Sequence, residues 1–303
     1  MNRTSPVRTW LQLLRAPNLL TVAGDPLAGF LLVGVAGLGR WTALGAAVAV
    51  GLCLYAAGLL FNDWFDRFED ARERPSRPIP AGSVRAPVVL SVGIALACAG
   101  MAVAAAAGRG LFTIAFALLL AIVFYNARAK HHPVGGPLTM GMCRGLNLLL
   151  GAAVVPVSFD VAIPALVAAA VHTAYIMAVT GIARRETETI RVGWRRWAPG
   201  TCLAVGFVLL HAMRGGGSVD PQRATAMLFA VYTVAWAFLP ARALSGIPAP
   251  AVVGRTVGEW IRGIIRVQAA YCALCPPAGL VAAAVLLAVL PASTFLSRRF
   301  YSS

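Results

Sequence analysis

The sequence predicts an all-α membrane protein, a bundle of nine or ten transmembrane helices, on three observations. Charged residues make up only 12% of the 303-residue chain and hydrophobic ones 59%, whereas a soluble domain carries roughly 25% charged residues to cover its surface. The apolar stretches are long enough to cross a hydrocarbon core, which takes about 20 residues as a helix. They are also rich in Ala, Leu, Val and Gly without the polar alternation of a transmembrane strand. Mean hydropathy is +0.77.

In chain order, residues 17–38 carry only Asp25, and 41–61, 86–108 and 110–127 carry no charge. Residues 131–159 carry only Arg144, and 161–183, 197–213 and 224–240 are again uncharged. These give eight spans. The stretch 254–296 has Arg262 and Arg266 near its start and is divided by Pro276-Pro277, so it fits one span or a hairpin of two. The polar lead has no small-residue cleavage site, so the first segment is expected to stay attached.

A net charge of +15 would point to nucleic acid in a soluble protein, but its distribution does not. Arg67, Arg72, Arg74, Arg77 and Arg85 share one loop, Arg184, Arg185, Arg191, Arg195 and Arg196 another, Arg128 and Lys130 a third, and Arg242 and Arg255 a fourth. The alternate loops hold only Arg40, Arg109, Arg214 and Arg223. This asymmetry puts the rich loops and the N-terminus (Arg3, Arg8, Arg15) on the cytoplasmic side; Arg298 and Arg299 join them with an even number of spans. The expected setting is a bacterial inner membrane with lipid as surroundings and no nucleic-acid partner. Six cysteines lie mostly in apolar runs, where they read as small hydrophobes, Cys272 and Cys275 included.

Five of the eleven acidic residues fall within 63–73, where the second span ends. At about 100° per helical residue, Asp63, Asp66 and Asp70 lie within an arc of about 60°. Three carboxylates on one face repel unless cations sit between them. Oxygen donors at this density suit Mg²⁺, which keeps several waters and bridges to substrate phosphates. The alternative is a solvated helix end neutralised by Arg67 and Arg74. Pro75 stops the helix, and Arg77 in the extended tail that follows can meet phosphate oxygens in a bidentate fork.

Asn62-Asp63-x-x-Asp66-x-x-x-Asp70 followed by Arg77-Pro78-Ile79-Pro80-x-Gly82 resembles the first aspartate-rich motif of the UbiA superfamily of intramembrane prenyltransferases. Arg15-Ala16-Pro17-Asn18 is similar to that family's opening, and Tyr125-Asn126-x-x-x-Lys130 to its Tyr-and-Lys segment. Gly136-Pro137 leading into Cys143-Arg144-Gly145-Leu146-Asn147 is similar to its fifth helix. The likeness runs to about residue 200 and is best to a divergent, EboC-like branch. It departs at the second motif, where Thr180-Gly181-Ile182-Ala183-Arg184-Arg185-Glu186-Thr187-Glu188 offers only Glu186 and Glu188 among arginines, and at Gln268, where an acid is expected.

The resemblance implies one UbiA-like domain over 1–303, with an Asp-rich loop at 62–85 and a second polar loop at 182–198. It implies Mg²⁺-dependent transfer of a prenyl group from an isoprenyl diphosphate to an unidentified lipophilic acceptor. Asp63, Asp66 and Asp70 are the expected catalytic metal ligands, with Glu186 as a further one. Asn18, Asn62, Arg77, Lys130, Arg144, Asn147 and Arg184 are the expected substrate-binding residues. A charge such as Arg144 costs roughly 2.5–3.5 kcal/mol at a helix centre, so it is read as lining a polar cavity or pairing with Asp25. His172, alone on an apolar span, reads as hydrogen-bonded structure. Removing Asp63 or Asp66 is expected to relieve repulsion and leave stability unchanged or raised. A transporter or non-catalytic lipid-binding protein on the same fold is the competing reading. A transporter predicts inverted repeats, whereas acids after spans two and six suggest halves in one orientation.

Overall fold

The computed structural model describes residues 5–34, 40–154, 156–186, 188–189, 191–213 and 220–300, and the side chains of these up to 295. Arg3 and Arg214, and the side chains of Arg298 and Arg299, lie outside it. Among the described residues every regular element is helical. They are α1 (Pro6–Leu13), α2 (Ala16–Leu19), α3 (Gly24–Leu32), α4 (Trp41–Phe65), α5 (Arg67–Glu73), α6 (Ala86–Ala107) and α7 (Arg109–Ala127), then α8 (Gly135–Ala152), α9 (Phe159–Ala183), α10 (Ala198–Ala212), α11 (Pro221–Ala241), α12 (Pro250–Arg262), α13 (Ile264–Ala273) and α14 (Ala278–Phe300).

Local chemistry explains several ends. Proline occupies the first turn of α1, α6, α10, α11 and α12, where its missing N–H costs no helical bond. Asp220 caps α11 by accepting from Arg223 N at 2.7 Å. Gly108, with φ 131°, makes the turn between α6 and α7 in a region closed to residues with a Cβ.

Among the described residues six segments are long and apolar enough to cross a membrane: Trp41–Phe65, Ala86–Ala107, Arg109–Ala127, Phe159–Ala183, Pro221–Leu244 and Ala278–Phe295. The other expected spans are shorter, broken or, as in α8 with Arg144 and Asn147, less apolar. The stretch 17–38 is not one helix: Arg15 adopts a left-handed conformation (φ 43°), α2 ends after one turn, and the Thr21 hydroxyl donates to Asn18 O at 2.7 Å before α3 begins. The stretch 254–296 is divided at Gly263 between α12 and α13 and again at Pro276-Pro277 before α14.

Helix α8 is the hub, packing on α3, α4, α7 and α9. It can do so because it is thin: a Cβ on Gly151 would strike the Pro26 carbonyl of α3, and one on Gly145 the Thr173 hydroxyl of α9. Small residues at helix crossings let backbones approach where lipid supplies no hydrophobic drive between helices. One core cluster joins α3, α8, α9 and the helices up to α14 around Phe30, Tyr175, Trp260 and Tyr271; a second joins α4, α6 and α7 around Leu54, Phe61 and Leu118. The space left between α4, α7 and α8 becomes the site.

Candidate active site

The three carboxylates keep their helical spacing through the break between α4 and α5. Asp66 caps α4 in a helical conformation, its N–H reaching Asn62 O at 2.9 Å, and Asp70 N reaches Asp66 O at 2.8 Å. The face therefore continues across the junction, with Asp63 and Asp70 buried and Asp66 half-buried. Each carboxylate is met by a cation. Arg77 lies 2.8 Å from Asp70 and 3.7 Å from Asp63, Arg15 lies 3.9 Å from Asp63, and Lys130 pairs with Asp66. Asn62 joins the set at both ends: its amide donates to Asp66 at 2.9 Å and its oxygen accepts from Arg15 at 3.3 Å. Three acids and three bases make a locally neutral cluster. The bases offset the repulsion among the carboxylates, so deleting Asp63 or Asp66 removes ion pairs to Arg15 and Arg77 or to Lys130 along with that repulsion.

Below the cluster lies a cavity of about 120 Å³ between α4, α7 and α8. Arg15, Asn62 and Tyr125 line one end, Leu59, Leu118, Ile122 and Met140 the apolar walls, and Gly51, Arg144 and Asn147 the other end. From Asn62 to Gly51 is eleven residues along α4, about 16 Å at 1.5 Å per residue. The cavity thus runs from the charged cluster toward the middle of the bundle.

At that depth four helices meet on one acid. Asp25 of α3 is completely buried, with Arg144 of α8 at 3.1 Å, His172 of α9 at 3.3 Å, and amide donations from Asn147 (2.9 Å) and Gln268 of α13 (2.5 Å). Arg144 also donates to Thr21 O at 2.9 Å, Asn147 to Val22 O at 3.0 Å and Gln268 to Thr21 O at 2.6 Å. The two readings offered for Arg144 therefore hold together: it lines the cavity and it pairs with Asp25. His172 Nε2 faces the same carboxylate at 3.3 Å, but neither ring nitrogen makes a hydrogen bond of good geometry among the described residues, unlike the hydrogen-bonded histidine the sequence suggested. Gln268, standing where an acid was expected, donates to one.

The other expected residues are placed differently. Asn18 is buried in α2 away from the cavity lining. Arg184 donates to the backbone carbonyls of Lys130 (2.9 Å), His131 (3.1 Å) and His132, so it grips the turn that delivers Lys130 to Asp66. Glu188 pairs with Arg185 at 3.0 Å. Glu186 lies toward α12, where a Cβ on Gly254 would come within 3.8 Å of its carboxylate. Among the described residues no three His, Cys, Asp or Glu side chains converge as a ready-made metal cage. The donor set still fits Mg²⁺: Asp63, Asp66, Asp70 and Asn62 supply hard oxygens on one face, held by cations that an incoming metal can replace.

Arg15, Tyr125 and Asn126 line the cavity without having been expected there, and Tyr55, an aromatic near the first motif suited to facing an allylic cation, lines it too. The signal for the first was the Arg15-Ala16-Pro17-Asn18 opening, and for Tyr125 and Asn126 the segment leading to Lys130.

The profile of the UbiA prenyltransferase family matches residues 26–254. The digeranylgeranylglyceryl phosphate synthase of Methanothrix thermoacetophila is 31% identical over 143 residues, 47% of this chain and 53% of that protein. That of Ignicoccus hospitalis is 32% identical over 153 residues, 50% and 48% of the two chains. The aligned region thus spans about half the length of these curated relatives. Among solved structures, the fold is similar to that of a UbiA homologue from Archaeoglobus fulgidus bound to DMAPP and Mg²⁺, with TM-score 0.60, 17% identity, and coverage of 86% of this chain and 99% of that one. It is also similar to a structure described for digeranylgeranylglyceryl phosphate synthase in membranes, with TM-score 0.62, 15% identity, and coverage of 88% and 98%.

Proposed function

Since the chain belongs to the UbiA prenyltransferase family, we propose that it is an integral membrane prenyltransferase. It moves a prenyl group from an isoprenyl diphosphate to a lipophilic acceptor, with Mg²⁺. It works as one domain, in a bundle of nine or ten crossings with the short helices counted in, and its polar loops face the cytoplasm across the plasma membrane. The observation that carries this reading is the neutral carboxylate–cation cluster placed at the charged end of an apolar cavity. An amphiphile with a diphosphate head and a hydrocarbon tail matches both ends.

In this reading Asp63, Asp66 and Asp70, with Asn62, hold Mg²⁺, which when bound supplies electrostatic stabilisation of the departing diphosphate. Carboxylates engaged by metal release Arg15, Arg77 and Lys130, whose donors turn to the diphosphate oxygens. Arg184 keeps the Lys130 turn in place while this happens. Leu59, Leu118, Ile122 and Met140 take the start of the chain and exclude water from the reacting carbon. The bond from that carbon to oxygen breaks with its electron pair leaving on diphosphate. An electron pair of the acceptor forms the new bond, and the acceptor gives up its proton. Tyr55 and Tyr125 put aromatic surface on the cavity wall, a favourable neighbour for an allylic cation. The relatives named digeranylgeranylglyceryl phosphate synthase make a glyceryl phosphate lipid a first acceptor to test.

A non-catalytic, lipid-binding role is favoured by one observation: the three carboxylates are already satisfied by bases. One experiment separates the two. Purified protein is incubated with radiolabelled dimethylallyl, geranyl, farnesyl or geranylgeranyl diphosphate, an acceptor panel, and either Mg²⁺ or EDTA. The enzyme reading expects Mg²⁺-dependent diphosphate release. Binding without release across the whole panel would sink it.

A further inference from the structure

The second polar loop holds an arrangement to which the proposed mechanism gives no role. Arg185, Arg191 and Arg195 line one small cleft with Gly181, Ile182, Val192 and Val253. An adjoining cleft of about 350 Å³ is lined by Arg191, Arg196, Trp194, Trp197, Gly193 and Gly246. Four guanidinium groups thus surround two clefts that share Arg191, and among the described residues no carboxylate lines either one. Of the four, only Arg185 makes an ion pair among the described residues, to Glu188 at 3.0 Å. Buried Arg196 Nε has no hydrogen-bond partner. Arg191, Arg195 and Arg196 are thus gathered without a counter-charge among the described residues; like charges so placed repel, and the usual resolution is a bound anion.

Two features say which anion. The clefts lie on the same membrane face as the carboxylate cluster, because neighbouring Arg184 grips the 130–132 turn whose Lys130 pairs with Asp66. Trp194, 77% exposed, stands beside the arginines, and Arg196 stacks over the Trp197 ring at 4.9 Å. Exposed tryptophan at the end of an apolar helix is the signature of the headgroup layer, and arginine there meets lipid phosphate. We propose that these two clefts are a binding site for the phosphate of an anionic phospholipid of the surrounding bilayer, with Arg191 shared between them and Arg195 and Arg196 completing the grip.

The test uses the full chain reconstituted in nanodiscs of equimolar phosphatidylcholine and phosphatidylglycerol, then extracted in mild detergent, with the retained lipid identified by native mass spectrometry. Wild type retains phosphatidylglycerol over phosphatidylcholine. Arg191→Gln lowers that retention about five-fold, and the Arg191→Gln, Arg195→Gln pair by more than about ten-fold, each exposed arginine contributing about that factor at an anionic surface. The Arg191→Lys, Arg195→Lys pair falls between, since charge survives but the bidentate fork is lost. Both arginines are exposed, so the variants fold, which size-exclusion elution confirms. Equal retention of the two lipids by wild type, or undiminished retention in the Gln pair, overturns the proposal. So does displacement of phosphatidylglycerol by inorganic pyrophosphate, which would assign the clefts to the diphosphate site. None of these outcomes depends on prenyl transfer being observed.

Discussion

Replacing Arg144 by Met tests the buried network at the inner end of the cavity. The change keeps much of the side-chain volume and removes the guanidinium that lies 3.1 Å from Asp25. Asp25 is then left completely buried with only His172, Asn147 and Gln268 to face it. Breaking one partner of a buried pair costs about 3–5 kcal/mol, because the remaining charge is uncompensated. At about 2 °C per kcal/mol for a large domain, the apparent melting temperature falls by about 6–10 °C. Asp25→Asn removes the other charge and strands Arg144 among backbone carbonyls, with a loss of the same order. The double variant has no stranded charge, so its loss is smaller than the sum by at least about 2 kcal/mol. The assay is thermal unfolding of detergent-purified protein, followed by the fraction still eluting as a monodisperse peak after heating. Two simply additive losses, or a single variant that melts with wild type, would refute an ionised Asp25–Arg144 pair as a support of this fold.

Asp63→Ala and Asp66→Ala abolish Mg²⁺-dependent diphosphate release while folded protein remains in the membrane; each lowers stability slightly, since one ion pair to Arg15 or Lys130 is lost, and a variant that keeps activity per folded molecule would make the cluster structural. Arg184→Gln raises the KM for prenyl diphosphate several-fold without changing the Mg²⁺ requirement, because it acts through Lys130, whereas Glu186→Gln leaves the Mg²⁺ dependence as it is; titrating Mg²⁺ for each variant checks both. Single cysteines at Ser76 and Thr189, in a background lacking the native cysteines, label from the same side of the membrane; opposite labelling removes the shared face on which the mechanism rests. Gly151→Val, whose side chain would run into the Pro26 carbonyl, prevents α3 from docking on α8 and lowers the yield of monodisperse protein sharply.

The fold was legible where the signal is local. Composition and run length mark the long helices, and the spacing 63, 66, 70 places three carboxylates on one face whether or not the helix breaks at Asp66. The break near the N-terminus had local causes too, in Pro17 and Gly24, but an apolar run of the right length outweighed them in the reading. What sequence supplied only in part was pairing at long range. Asp25 meets Arg144, His172 and Gln268, which lie on three other helices and are separated from it by more than a hundred residues. Residue type already offered Asp25 as a partner for Arg144, since few other charges lie inside the apolar runs; that His172 and Gln268 face the same carboxylate comes only from the packing of α9 and α13. Arg184 was expected at phosphate because arginine in a polar loop suggests an anion. Its observed partners are carbonyls, which no side-chain pattern announces.

The carboxylate–cation cluster explains how such a site stays stable before its ligands arrive. Three unpaired carboxylates at the end of an apolar cavity would be expensive, since burying charge without partners costs several kcal/mol per ion. Pairing them with Arg15, Arg77 and Lys130 removes most of that cost and leaves no net charge to repel a diphosphate. In the proposed reaction, metal and diphosphate entering together would conserve the number of ionic contacts: carboxylates would pass from base to metal and bases from carboxylate to phosphate. The affinity of the site is then the difference between two well-satisfied states, so neither ligand binds tightly without the other. That coupling follows from the geometry of Asn62, which touches Arg15 and Asp66 at once and so joins the base that must leave to the acid that must stay. By reciprocity, diphosphate strengthens metal binding by the factor that metal strengthens diphosphate binding.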